Sequence, residues 1–239
     1  MKRALELAYS GGVYQLAPSK VIALGPNYRE HIKESVSVKV RGFDPVEPAE
    51  PVLFPKLPSS IVGHDDPIRL PRILADYRFD EERTDYEGEL AVIIGREGVD
   101  IPVERAMEYV LGYACADDVS QRNIQNGDRS GWFRGKSFDT FLPIGPRMVT
   151  PEEIGDPQNL AIVTRRNGEV VQEGNTGEMI LPVAETIHYV SRNFTLLPGD
   201  VLLTGTPAGV GPIAHGDVIE VEIEKIGTLR NAVVDSRRA

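Results

Sequence analysis

Short apolar stretches separated by turn-forming residues run along most of the chain, a pattern that predicts more strand than helix. Val21–Leu24, Glu89–Ile94, Leu111–Ala116, Ala161–Arg165, Val201–Thr204, Val218–Ile223 and Leu229–Val233 each read as a strand. Asn167-Gly168 has the composition of a two-residue hairpin turn, with Glu169–Gln172 as its return strand. Two segments follow a proline where a first helical turn tolerates one: Pro102 before Val103–Val110, and Pro182 before Val183–Phe194. In the second, Val183, Ile187, Val190 and Phe194 recur on one helical face, as expected of a helix packed on a sheet. The fold class expected is therefore mixed and mostly β, with a few short helices.

No internal repeat or low-complexity linker divides the 239 residues. The polar, proline-containing segment Ser35–Pro51 lacks a sustained period and reads as a surface lid. The charge-rich stretch Arg72–Arg83 reads as a second excursion. A formal charge of -10 disfavours extended contact with nucleic acid or an anionic membrane, both of which need an excess of cations. The single Cys115 has no intrachain partner and lies in an apolar stretch, where it reads as a buried small hydrophobe. No segment approaches the ~18 apolar residues of a membrane span, so a cytoplasmic location is the expectation.

Candidate chemistry concentrates in a few places. Glu87 and Glu89 bracket Gly88 at the start of a strand, and a two-residue period puts both carboxylates on one face. Such a pair either faces solvent or coordinates a cation. Asp118 follows the apolar run Leu111–Ala116, where it either caps the next segment or adds a third carboxylate. Arg122 and Gln125 follow it at spacings of four and three, one helical face if Val119–Gln125 is helical. Three carboxylates without clustered Cys or His favour a hard ion, with Mg²⁺ first and Mn²⁺ or Ca²⁺ as alternatives.

His31 and Glu34 lie three apart, a spacing that lets a carboxylate orient an imidazole as a general base, though an ordinary surface pair has the same spacing. Lys136 reads either as a surface lysine or as a cation that stabilises a developing oxyanion, with Gly135 allowing close backbone approach. The glycine-rich run Thr204–Gly211 follows a strand and offers backbone N–H groups to a carboxylate. It lacks the lysine and spacing of a phosphate loop.

The order of these motifs resembles the catalytic domain of the fumarylacetoacetate hydrolase family. The matching residues are Gly25-Pro26-Asn27-Tyr28 with His31 and Glu34, Pro51–Lys56, Asp85-Tyr86-Glu87-Gly88-Glu89-Leu90, and Asp118-Val119-Ser120 with Arg122 and Gln125. Gly135–Asp139 and Pro198-Gly199-Asp200 leading to Thr204–Gly211 complete the series, so the resemblance spans about Ser19 to Val234. It implies a short N-terminal segment (residues 1–18), then a catalytic domain (19–239) folded as a β-roll or sandwich and assembled as a homodimer. It also implies Glu87, Glu89 and Asp118 as metal ligands and His31 with Glu34 as a water-activating dyad. Lys136, Arg122 and Gln125 would surround the reacting carbonyl, Thr206 would lie in the loop that holds the substrate carboxylate, and Lys56 also matches a family position.

The activity implied is metal-dependent C–C bond hydrolysis of an acylpyruvate- or fumarylpyruvate-type 2-oxo acid through an enolate. Isomerisation of unsaturated 2-oxo diacids from aromatic catabolism and decarboxylation of oxaloacetate use the same strategy. A non-catalytic metal protein that binds a 2-oxo acid is the alternative of another class.

Overall fold

The computed structural model describes residues 4–34, 50–127 and 132–238, with the side chains of 33 and 34 outside that set. The main sheet has nine strands, eight of which run edge to edge as Gly12–Leu16, Leu5–Tyr9, Leu142–Val149, Val110–Asp117, Gly88–Ile94, Val201–Leu203, Val21–Leu24 and Leu53–Lys56. The ninth, Ile61–Val62, pairs with Leu142–Val149. This sheet curls into a half-barrel.

A second sheet of five strands has the order Glu169–Asn175, Ala161–Arg166, Val218–Ile223, Gly227–Asp235 and Ile68–Leu70. A small third sheet joins Ser120–Gln121, Thr84–Tyr86 and Gly211–Pro212. The architecture is the mostly β roll expected.

Two cores follow from the alternation of side chains along the central strands. Leu90, Val92 and Ile94 point to one face and join Tyr113, Cys115, Ile162, Val221 and Ile223, together with Ile187 and Val190 of the helix Val183–Asn193. Ala91 and Ile93 point the other way and join Ala114, Ala116, Leu7, Ile144, Met148 and Val201. Every buried member of this second cluster belongs to the main sheet itself, so the sheet closes over its own concave face. Small residues such as Ala23, Ala91, Ala114 and Ala116 leave room for that curl. At ~1.5–3 kcal/mol for each fully buried large aliphatic side chain, these layers dominate the stability of the strands that carry the site.

The expected strands form, in several cases longer by a residue or more at an end. The turn at Asn167 and Gly168 has φ values of 56° and 83°, the left-handed pair a tight hairpin requires. Among the described residues, nine strands lie outside the expected set, five of them only two or three residues long, and the longer ones show why. Leu53–Lys56 contains Pro55, which is compatible with its place at the sheet edge. Leu142–Val149 is interrupted by Pro143 and Gly145-Pro146 and carries a register shift between Gly145 and Val149. Leu5–Tyr9 and Gly12–Leu16 form a hairpin that meets the main sheet through Ala8 and Arg147.

Val103–Tyr109 is a 3₁₀ helix, whose period of three turns Val103, Ala106 and Tyr109 toward the interior. Phe194 lies beyond the end of the Val183–Asn193 helix, with extended backbone and 46% exposure, so it leaves the apolar face assigned to it. Cys115 is fully buried as expected; its Sγ lies 3.3 Å from the Gly227 carbonyl, and burial pushes the thiol up to about 12. The lid assigned to Ser35–Pro51 lies, over 35–49, outside the described residues. Among the described residues, no helix is long and apolar enough to cross a membrane.

Candidate metal centre and cleft

The site lies where the central strands Gly88–Ile94 and Val110–Asp117 end side by side. Gly88 pairs with Asp117 in the ladder, and the Asp118 N–H donates to the Glu87 carbonyl at 2.8 Å. This pairing brings Asp118 beside the glutamates; the helical face expected for Asp118, Arg122 and Gln125 does not include Asp118, because Ser120–Gln121 is strand and the helix begins only at Arg122. Each of Glu87, Glu89 and Asp118 offers a carboxylate oxygen within 4.8 Å of the others, and all three are buried. Gly88 between them is packed against the second sheet, where a Cβ would meet Thr164 Oγ1 at 2.2 Å.

Cations reach this cluster from Arg122, from Lys136 and from the edge strand. Arg122 and Gln125 share a face of the helix Arg122–Gly127, as expected, with Nη1 donating to the Gln125 amide oxygen at 2.9 Å. Arg122 also pairs with Glu87 through Nη2 and with Asp85 through Nε, the latter at 2.7 Å. Lys136 bridges two acids, donating to Glu87 and to Asp118 Oδ2, the latter at 2.7 Å. Its helix presses closely on the Arg122 helix; a Cβ on Gly135 would meet the Gln125 backbone nitrogen at 2.6 Å. Lys56 donates to Asp118 Oδ1 at 2.5 Å from behind and is fully buried.

These neighbours divide the acids electrostatically. Burial raises the Glu87 pKa, but Arg122 and Lys136 outweigh it and hold this carboxyl far below the usual range. Glu89 shows the opposite balance: burial, then the charges of Asp118 and Glu87, push it well above the usual value, against Lys136 and one N–H from Gly205 at 2.7 Å. Burial likewise pushes Asp117 up to about 7. Burial pulls the Lys56 ammonium down against the pull of Asp118, whereas for Lys136 the acids prevail over burial and raise it.

A narrow cleft opens onto the cluster, lined by Glu87, Glu89, Arg122, Gln125, Lys136, Thr206 and His31, with Phe54 and Trp132 as its aromatic wall. The Lys136 ammonium lies 5.0 Å from the centre of the Phe54 ring. His31 is buried on the short helix Arg29–Glu34, whereas the Glu34 side chain lies outside the described residues. Lys56 does not line this cleft; it supports Asp118 from the far side.

The loop after Val201–Leu203 runs along Gly88–Ile94 without pairing as a strand. Thr204 Oγ1 donates to the Leu90 carbonyl at 3.0 Å, Gly205 N–H to Glu89, and Thr206 Oγ1 to the Gly88 carbonyl at 2.8 Å. Sequence reading gave no role to Asp85, although it precedes Glu87 at the same two-residue interval that relates Glu87 to Glu89. It also gave none to Gln172, since one polar residue on a hairpin strand carries no signal of burial.

The donor set fits a hard divalent ion. It is all oxygen, buried, and leaves Glu89 with more negative surroundings than its protein neighbours neutralise. Residues 20–234 match the model of the Fumarylacetoacetate (FAA) hydrolase C-terminal family. A mitochondrial oxaloacetate tautomerase of Homo sapiens is 44% identical over 227 residues, covering 91% of this chain and 67% of that protein. The structure of fumarylpyruvate hydrolase from Pseudomonas aeruginosa in complex with Mn²⁺ and pyruvate superposes with a TM-score of 0.85 at 32% identity, covering 99% of this chain and 98% of that one. For 2-hydroxyhepta-2,4-diene-1,7-dioate isomerase from Mycobacterium marinum the TM-score is 0.79 at 34% identity, with 99% of each chain covered. The match over nearly the whole chain, in sequence and in fold, places this protein in the fumarylacetoacetate hydrolase family of enzymes.

Proposed function

We propose that this protein is a divalent-metal-dependent hydrolase of acylpyruvate- or fumarylpyruvate-type 2-oxo acids, cleaving a C–C bond to release pyruvate and a carboxylic acid. The observation that carries the reading is a cluster of three buried carboxylates, two of which, Glu87 and Glu89, line one cleft with His31 and Lys136. Glu87, Glu89 and Asp118 would hold the ion, with Mg²⁺ or Mn²⁺ suited to the oxygen set. When bound, the ion supplies positive charge beside the 2-oxo group, where negative charge collects as the bond breaks.

The chain's own groups account for the rest. His31 takes a proton from water as its oxygen adds to the distal carbonyl carbon. Lys136 has three N–H bonds, two of them committed to Glu87 and Asp118, and the third is available to the resulting oxyanion. Collapse of that adduct breaks the C–C bond, and its electron pair passes to the enolate of pyruvate. The imidazolium then returns its proton to the enolate carbon. Arg122 and Gln125, fixed by their mutual hydrogen bond, orient the substrate from the cleft wall. Thr206 belongs to the loop facing its carboxylate.

A second reading, enol–keto tautomerisation of a 2-oxo diacid such as oxaloacetate, is favoured by the 44% identity to a mitochondrial oxaloacetate tautomerase, against 32% to the fumarylpyruvate hydrolase. It requires the same enolate and proton carrier, without addition of water. Purified protein with Mg²⁺ or Mn²⁺ should release pyruvate from acetylpyruvate or fumarylpyruvate, followed by NMR. Rapid loss of the oxaloacetate enol without pyruvate release would select the tautomerase reading. Failure to turn over any of these would leave a metal-binding protein and refute both. We propose a homodimeric, cytoplasmic enzyme; a single species of monomer mass in sedimentation equilibrium would contradict the assembly.

A further inference from the structure

Gln172 is 2% exposed on Glu169–Asn175, the outer strand of the five-stranded sheet, yet its amide reaches the ligand strand of the other sheet. Its Oε1 accepts from the Gly88 N–H at 3.0 Å, and its Nε2 donates to Thr206 Oγ1 at 2.8 Å and to the Pro207 carbonyl at 2.9 Å. The amide cannot be turned the other way, because an N–H only donates and a carbonyl only accepts. Thr206 Oγ1 therefore accepts from Gln172, and its single proton goes to the Gly88 carbonyl at 2.8 Å. Both backbone polar groups of Gly88, the residue between Glu87 and Glu89, are thus bonded to side chains.

We infer that Gln172 is a positioning residue for the metal centre, acting through Thr206 to tie the peptide between Glu87 and Glu89 to the loop at residues 204–207. The inference rests on the metal-dependent reading and extends it by fixing the role of Thr206. Its hydroxyl proton is spent within the protein, so an anionic group of the substrate beside it must be met by N–H groups or cations. Without the Gln172 amide, Thr206 is free to turn its proton into the cleft, and Gly88 loses the partners that set the spacing of the two carboxylates. A residue that only stabilised the fold would change the unfolding midpoint and leave ion affinity unchanged.

The test is Mn²⁺ binding to the full chain without substrate, with free ion read by electron paramagnetic resonance. Gln172→Met and Thr206→Val should each weaken the Kd about tenfold, the low end of the effect of partners that orient ligands. The double variant should be no weaker than the worse single one, because both remove the same tie. Thr206→Ser keeps both bonds and should bind as the wild type does; this comparison stands if Gln172→Met does not fold. Wild-type binding with unchanged affinity in Gln172→Met, additive losses in the double variant, or equal affinities of Thr206→Ser and Thr206→Val would overturn the inference. A wild-type chain that binds no Mn²⁺ would overturn the metal-dependent reading itself.

Discussion

Glu87 and Glu89 stand two residues apart, both buried and facing the same cleft, but different parts of the chain serve them. The Glu87 side is built from residues 120–127 and 132–136, which deliver Arg122, Lys136 and the Ser120 hydroxyl to one carboxylate. The Glu89 side is built from the loop after Val201–Leu203, whose contribution is the neutral Gly205 N–H. Burial acts on both in the same sense; the counter-charges decide the outcome, and they leave one acid ionised and the other resisting ionisation. The side that lacks its own cation is the side that an added ion completes. The three acids are therefore not equivalent: Glu87 and Asp118 are held by lysines in the protein alone, while Glu89 is the one that a metal ion, as proposed, would neutralise most.

The strongest way to break this contrast is Lys136→Met. It removes the ammonium shared by Glu87 and Asp118 and should cost the metal-free protein about 3–5 kcal/mol, the usual penalty for stranding a buried charge. Denaturant unfolding measures this, and an unchanged midpoint would show that the lysine neutralises nothing. Glu89→Gln should weaken Mn²⁺ binding by more than the ~10–100-fold typical of residues behind the ligands. The metal-free protein should nevertheless keep its thermal midpoint, since an amide replaces an acid that resists charging. A large drop in that midpoint would remove the asymmetry.

Between these sites and solvent lies a dependence on pH. Glu89 has a folded pKa above its unfolded value, and Asp117 is raised to about 7, so across this range the folded state holds more protons than the unfolded one. Their contribution is full below the ordinary carboxylate range and is lost as pH rises through the folded values. The metal-free protein should therefore melt a few degrees lower at pH 7.5 than at pH 5.5, and Mg²⁺ should restore more at the higher pH, because binding displaces the proton. A metal-free midpoint that climbs over this interval would reverse the sign. The smallest effect is expected of Ser120→Ala, which removes a single hydroxyl proton shared between the Asp118 carbonyl at 2.9 Å and the Glu87 carboxylate at 3.2 Å, the latter having stronger partners. It should cost no more than about 1 kcal/mol.

The parts of the fold that could be read from the sequence have a local cause. Alternation places Leu90 and Val92 opposite Ala91 and Ile93, and the Asn167-Gly168 turn needs only its own backbone angles. The acidic site was legible through the order of its motifs, because sequence distance alone says nothing of how Asp118 returns to Glu87. The helical face expected to join Asp118 with Arg122 and Gln125 forms only for the last two, because Ser120–Gln121 is a short strand and the helix starts at Arg122. Lys56 shows the limit of motif reading, since its position in a matching segment does not reveal that it supports Asp118 from outside the cleft. Gln172 was out of reach for a related reason: its partners come from the other sheet, and packing between sheets leaves no periodic trace in either strand.

The buried state of Cys115 has a practical consequence. The only thiol in the chain is shielded from solvent and kept protonated, so alkylating reagents will leave the native protein unmarked. A cysteine introduced on the rim of the cleft would then take a fluorophore or spin label with no background, without first removing a native residue from the core.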